Sequence, residues 1–246
     1  MIEKDTSLPW CILCSRMSSR LYILLLVLLI ATGGCRRGTD APGIPEYDFM
    51  PLEAGRYRIY DVQETQYARN TLPLQHSYRL KETVGPAYTD VSGHRAYRLL
   101  RYRQTSNSLS WQPDSIWSVR LVNNEVIRTE NGRDFVSLLY PVSNGLRWNG
   151  NRYNLWQSEE YEARNVGQPF SVSGKEFGET VTVIASNDST LIGQTKRVDI
   201  YAHQIGMIYK ERTYLQFCTD TPACLGKNQI EYGIRQIYRI QTYGKE

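Results

Sequence analysis

Ser115-Ile-Trp-Ser-Val-Arg-Leu-Val122, Asn123-Asn124, Glu125-Val-Ile-Arg-Thr-Glu130, Asn131-Gly132, Arg133-Asp-Phe-Val-Ser-Leu-Leu-Tyr140 is the stretch whose reading decides the fold. Its β-branched and aromatic residues fall into three short runs, Ser115 to Val122, Val126 to Thr129 and Phe135 to Tyr140. Such residues suit a pleated, half-buried surface. Between the runs stand Asn123-Asn124 and Asn131-Gly132, the residue types that supply the positive φ of tight hairpins. Turn signals every ~8–12 residues predict an antiparallel meander.

The same style extends both ways. Upstream, Pro51 and Gly55 lead into a strand over Arg56 to Thr65, Ser77 to Val84 is a second, and Val91-Ser-Gly-His94 is a turn. Arg95 to Gln104 follows, with its arginines taken to mark wet positions. Downstream, Tyr161 to Asn165, Glu179 to Ala185, Thr195 to Ala202, Met207 to Phe217 and Ile230 to Tyr243 are strand-like. Loops are expected over Gly145 to Asn151 and Asn187 to Thr190, and a short helix over Leu155 to Glu160. No run carries a sustained helical stripe. Residues 47–246 are therefore expected to form a single all-β domain: a strongly curved antiparallel sheet of about ten to twelve strands, since large sheets curl or close. The shape expected by analogy is an open half-barrel like that of periplasmic lipoprotein carriers, with a closed lipocalin-like barrel as the alternative. The motif P-[LV]-x-x-G occurs at Pro51–Gly55 and Pro141–Gly145; five positions read as coincidence.

The amino-terminal segment sets location. An eleven-residue apolar core, Leu21 to Ala31, follows Arg16 and Arg20 and runs through Thr32, Gly33 and Gly34 to Cys35. At ~1.5 Å per residue it covers about half of a ~30 Å hydrocarbon layer, which predicts a signal h-region rather than a spanning helix. Residues 1–34 are expected to be the signal peptide, with Met17 as an alternative start; residues 35–46, rich in Gly and Pro, are a tether. Ala31 to Cys35 resembles the lipobox of bacterial lipoproteins. That resemblance implies cleavage before Cys35 and acylation of its sulfur, with chains such as palmitate. One chain binds a membrane only marginally, whereas several anchor stably. No acidic residue follows Cys35 directly, so an outer-membrane anchor facing the periplasm is expected.

The larger chain resembles a family of functionally uncharacterised, β-rich lipoproteins of Gram-negative bacteria. The resemblance is carried by Pro51-Leu52-x-x-Gly55-x-Tyr57-x-Ile59-Tyr60, by Trp148-Asn-Gly150-Asn-x-Tyr153-Asn154, by Tyr201-Ala202-x-x-x-Gly206-x-Ile208-Tyr209-Lys-Glu211, by Cys218 and Cys224, and by Tyr243-Gly244. It departs at Arg58, where that family commonly has tryptophan. It implies location and fold and no mechanism.

Composition bounds the function. The 29 basic and 25 acidic residues give +4. Removing Lys4, Arg16, Arg20, Glu3 and Asp5 with the signal leaves 26 against 23, too even to argue for nucleic acid. Cys11 and Cys14 fall in the removed segment. Cys218 and Cys224 flank a short polar loop and, in an oxidising compartment, are expected to form a structural disulfide rather than a redox pair. His76, His94 and His203 stand outside any zinc motif, and G-x-S-x-G, phosphate-loop and calcium-loop patterns do not occur. Hence no metal, no cofactor and no catalytic residue is expected; a hydrolase built on Glu159, Glu160 or Glu162 is a distant third reading. Tyrosines are abundant, and Trp111, Trp117, Trp148 and Trp156 lie beyond the signal. Trp148, Tyr153 and Trp156, around a Gly/Asn-rich loop, are the candidate platform for a ligand or partner. The function expected first is a non-enzymatic binding protein holding an apolar or glycan ligand on a concave sheet face, in a pocket with few charges. The alternative is a structural or assembly lipoprotein that contacts an envelope protein.

Overall fold

Turn chemistry lays out the framework. Asn123 and Asn124 have φ of 49° and 67°, and Asn131 and Gly132 have 50° and 78°, so both hairpins of the quoted stretch form at the expected turns. The computed structural model describes residues 49–105, 108 and 110–246. Its strands are β1 (Arg56–Tyr67), β2 (Leu74–Thr89), β3 (Arg95–Thr105), β4 (Gln112–Val122), β5 (Glu125–Glu130) and β6 (Arg133–Leu139). The second half holds β7 (Arg147–Asn149), β8 (Glu160–Val172), β9 (Lys175–Ser189), β10 (Gly193–Ala202), β11 (Gly206–Phe217) and β12 (Ile230–Lys245). Among the described residues there is no helix, and 150–159 is an irregular loop rather than the short helix expected at its end. Three asparagine side chains bind backbone there: Asn149 Oδ1 accepts from the Asn151 and Glu159 amides, Asn154 Oδ1 from the Trp156 amide, and Asn151 Nδ2 donates to Gln157 O. These bonds offer the backbone an alternative to helix. The segments expected to be a signal peptide (1–34) and a tether (35–46), with Cys35, lie outside the described residues.

All twelve strands join one antiparallel sheet in the order β6-β5-β4-β3-β2-β1-β12-β11-β10-β9-β8-β7. The first and last strands pair from Arg56↔Lys245 to Tyr67↔Gly233, so the two remaining edges, β6 and β7, are neighbours in sequence. They are drawn together without a full ladder. The Val136 amide donates to Gly150 O at 2.9 Å, Trp148 Nε1 to Val136 O at 2.7 Å, and Asn154 Nδ2 to Asp134 O at 2.8 Å. The result is a nearly closed barrel, the more closed of the two expected shapes.

The P-x-x-x-G echo is structural. The Gly55 amide donates to Val84 O and Arg56 N to Glu53 O; the Gly145 amide donates to Ala163 O and Leu146 N to Ser143 O. Both glycines have positive φ, 87° and 79°. One turn thus opens each six-strand half, and Arg58 and Trp148 occupy equivalent places three residues later.

Register fixes which side chains face inward, because paired residues share a face. From β2 round to β5 the inward set includes Glu82↔Arg101, Val84↔Leu99, Leu99↔Trp117 and Val119↔Arg128. On the other side it includes Lys210↔Tyr238, Lys210↔Asp199 and Asp199↔Val183. One end of the barrel is sealed with apolar groups. Val84, Leu99, Val119, Val126, Ile208 and Ile240 are buried there, and Met50, ahead of β1, is 1% exposed against the same cluster. Phe49 packs edge-on against His203, and its amide is bonded to Tyr140 Oη. The other end, ringed by the loops 68–73, 110–111, 131–132, 150–159, 190–192 and 218–229, is the mouth. Outward positions on β1, β2 and β12 include Asp61, Gln63, Arg79, Arg235 and Arg239, so the outer wall there is charged and is not the apolar band of a lipid-embedded barrel.

Candidate functional site

Four strands place aliphatic residues near the sealed end of the interior and charged ones toward the mouth, two residues away on the same face. The series are Val84-x-Glu82 read backward along β2, Leu99-x-Arg101-x-Arg103, Val126-x-Arg128-x-Glu130 and Ile208-x-Lys210-x-Arg212. Closing the sheet collects these charges. Glu82 is 1% exposed; Oε1 accepts from Arg58 Nη2 at 3.3 Å, Oε2 from Arg128 Nη2 at 2.6 Å, and Arg101 Nε stands 3.8 Å away. Arg128 Nε lies 3.1 Å from Glu130 Oε1, and Lys210 Nζ donates to both Glu130 oxygens at 3.2 and 3.0 Å. Arg212 Nη2 donates to Asp199 Oδ2 at 2.7 Å.

Aromatic faces hold the cations in place. The Arg101 guanidinium is 3.6 Å from the centroid of the Trp117 ring, Arg128 4.9 Å and the Lys210 ammonium 5.3 Å. Arg103 lies 4.1 Å over Tyr78 and pairs with Asp114 at 3.0 Å. A cation over a ring face is attracted by the ring quadrupole, more so when desolvated. These contacts explain how long side chains are kept in one geometry inside a wide barrel.

The electrostatics follow from burial against pairing. Burial would raise Glu82, but the Arg128, Arg58 and Arg101 charges hold it below the ordinary carboxylate range. For Glu130 burial again opposes ionisation, and Lys210 and Arg128 overcome it, bringing it down to about 2. Asp199 is likewise lowered, burial being outweighed by Arg212 and Lys210. The partners are not equally at ease. Burial outweighs Glu130 for Lys210, which falls to about 8.

Toward the mouth these groups border a cavity of about 390 Å³ lined almost wholly by polar atoms. Arg101, Arg103, Lys210 and Arg212 face it with Glu130, Asp114, Ser115, Trp117 and Tyr238. Its size falls within the ~300–1,000 Å³ of ligand sites. The expectation of a pocket with few charges is corrected here. The lining is charged, because Arg101 and Arg103 face inward although the sequence pattern assigns the arginines of β3 to the wet side. A signal for the site does exist in the chain: a charge two residues from a buried aliphatic, repeated on four strands.

The candidate platform is dispersed. Trp148 is buried, 5% exposed, tilted against Tyr161 and bonded to Val136 O, so it closes the seam and is not an exposed surface. Its position in the short strand β7, with inward parity, explains this; the flanking Gly and Asn residues imply only a loop. Tyr153 Oη donates to Glu125 Oε2 at 2.6 Å beside the Arg152–Glu125 ion pair, and that bond raises the phenol's pKa. Trp156 is half-exposed, edge-on to Phe135 and under Arg133. Glu159 pairs with Arg197, whereas Glu160 and Glu162 share Arg147 and Glu162 also pairs with Arg164, so all three carboxylates are engaged in ion pairs. Cys218 and Cys224 form a disulfide, with Cα atoms 5.6 Å apart, in a mouth loop. Other mouth loops expose Leu72, Leu155, Leu191 and Ile192, and the disulfide loop exposes Leu225. Among the described residues no His/Cys/Asp/Glu group has the makings of a metal site.

No protein-family model, no curated protein and no solved structure matches this chain.

Proposed function

We propose that the chain is a lipid-anchored binding protein of the Gram-negative cell envelope. It is exported by residues 1–34, acylated at Cys35, held at the outer membrane facing the periplasm, and takes a polar, glycan-sized ligand into the mouth of its barrel. The cavity bordered by Arg101, Lys210 and Trp117 carries this reading: it is open to solvent and polar, and its cations are packed against aromatic rings. The charged lining favours the polar branch of the expected ligands over the apolar one, since an apolar guest would strand buried charges without solvent. Binding is favoured over glycoside hydrolysis because Glu82 and Glu130 are held ionised by their cations, whereas that chemistry needs a carboxyl raised enough to donate a proton. The export and anchoring steps rest on the lipobox-like Ala31 to Cys35.

Native mass spectrometry of the protein purified from its own membrane tests the binding reading. A stoichiometric adduct that disappears in an Arg101→Gln variant is expected; a clean apo mass in gentle detergent, with the fold intact, overturns it. Cys35→Ser should leave the signal uncut and abolish palmitate labelling; unchanged processing and membrane association would refute the anchor. The exposed aliphatic residues of the mouth loops favour a second reading, docking of an envelope protein at the rim. That reading predicts a protein rather than a small-molecule mass on the native complex, lost on Leu155→Asp/Leu191→Asp.

A further inference from the structure

We infer that the ligand carries an oxyanion: the mouth of the barrel is a site for a phosphate, sulfate or carboxylate borne by a small polar molecule, gripped by Arg101, Arg103, Lys210 and Arg212. This rests on the binding reading above and adds the chemical class of the ligand.

Three observations carry it. The first is charge. Arg58, Arg101, Arg103, Arg128 and Lys210 are joined through Glu82, Asp114 and Glu130, and Arg212 pairs separately with Asp199, six cations to four carboxylates in all. A buried positive charge without compensation is costly. The carboxylates are already shared, Glu82 between Arg58 and Arg128 and Glu130 between Arg128 and Lys210.

The second is where the excess lies. The cavity borders four of the six cations but only Glu130 and Asp114 of the carboxylates, so the surplus faces the space a ligand would enter. The third is the preset placement of the guanidinium groups on the cavity wall. Arg101 is 7% exposed and lines the cavity, its Nη1 donating to Ser115 Oγ at 3.1 Å and its buried Nε standing 3.8 Å from Glu82 Oε2. Guanidinium groups present planar forks that match carboxylate and phosphate oxygens, and here Trp117 and Tyr78 hold two of them in place. The aromatic faces in this site are therefore occupied by cations, so recognition runs through charge rather than through stacking of a sugar on a ring.

The test is isothermal titration calorimetry of the full chain in neutral detergent with four probes: inorganic phosphate, glucuronate, glucose 6-phosphate, and glucose as the uncharged control. Co-sedimentation with phosphatidylglycerol vesicles separates a lipid headgroup source from a free anion. Saturable binding of at least one anionic probe is expected, weakening as sodium chloride is raised because screening acts on the charges. Arg101→Gln should weaken it about tenfold or more, the loss of a charge-assisted hydrogen bond. Arg103→Gln, at a half-exposed rim position, keeps the test open if the buried variant does not fold. Glucose binding as tightly as glucose 6-phosphate would overturn the oxyanion inference while leaving the binding reading intact. Failure of every anionic probe and of the vesicles overturns the inference, and the native mass measurement then decides separately whether the protein binds anything. Vesicle binding with no response to the free anions supports a headgroup as the source.

Discussion

Glu130→Gln is the substitution that most directly interrogates the interior of this barrel. The carboxyl falls from its ordinary 4.5 to about 2 because Lys210 and Arg128 outweigh its burial. At ~1.4 kcal/mol per tenfold change in proton affinity, that drop is about 3 kcal/mol of stability held by the ionised form. The figure agrees with the ~3–5 kcal/mol expected when one partner of a buried ion pair is removed. In a domain of this size it corresponds to a fall in Tm of roughly 6–12 °C. The pH dependence has a definite sign. Glu130 has a folded pKa below that of the unfolded chain, so its contribution is complete above about pH 4.5 and drains away as pH falls toward 2. Guanidinium unfolding of wild type and variant at pH 7, 5, 4 and 3 should therefore show two curves that lie about 3 kcal/mol apart at neutral pH and converge in acid. The double variant with Lys210→Met should cost less than the sum of the singles, since the pair is in contact at 3.0 Å. A gap that is constant from pH 7 to 3, or below about 1 kcal/mol, would refute an ionic interior.

Lys210, pulled to about 8 mainly by burial, should titrate near that pH by side-chain nitrogen NMR; a midpoint above about 10, the ordinary lysine range, would contradict its placement. Because its folded pKa lies below the unfolded 10.5, stability should rise as pH climbs from about 8 toward 10, and Lys210→Met should lack that rise. Trp148→Ala should cost about 3–5 kcal/mol and speed amide exchange at Val136, whereas Trp148→Phe, which loses chiefly the bond to Val136 O, should cost nearer ~1 kcal/mol. Gly206→Ala should destabilise by about 2 kcal/mol or more by thermal melting, because φ is +97° and a Cβ there would fall inside the Arg58 guanidinium. A neutral melt would mean that Arg58 does not occupy that space.

Gly206 and Trp148 also mark the boundary between what is legible along the chain and what is not. Asparagine and glycine at 123–124 and 131–132 dictate tight turns locally, since few other residues tolerate the positive φ values they adopt. Alternation of β-branched and aromatic residues likewise sets strand identity, and those two signals together yield the all-β class and the large curved sheet. The Cys218–Cys224 pair is legible because a short spacing limits the partners. Inward or outward parity is not. It depends on bulges, such as the register shift between Val84 and Ala87 opposite β3, and one slipped residue reverses a whole face. That is why the pattern of β3 suggests arginines in water outside the sheet, whereas Arg101 and Arg103 face the cavity.

Local chemistry along the chain determined the strands and the turns, because each depends on residues within a few positions of one another. Only closure of the sheet brought Glu82 of β2 to Arg128 of β5, or Lys210 of β11 to Glu130 of β5, eighty residues apart in the chain. Buried charges take their meaning from partners and from the loss of water, and both are created by the tertiary fold. The sequence therefore carried the charges in plain view, and the barrel decided that they face one another around a cavity.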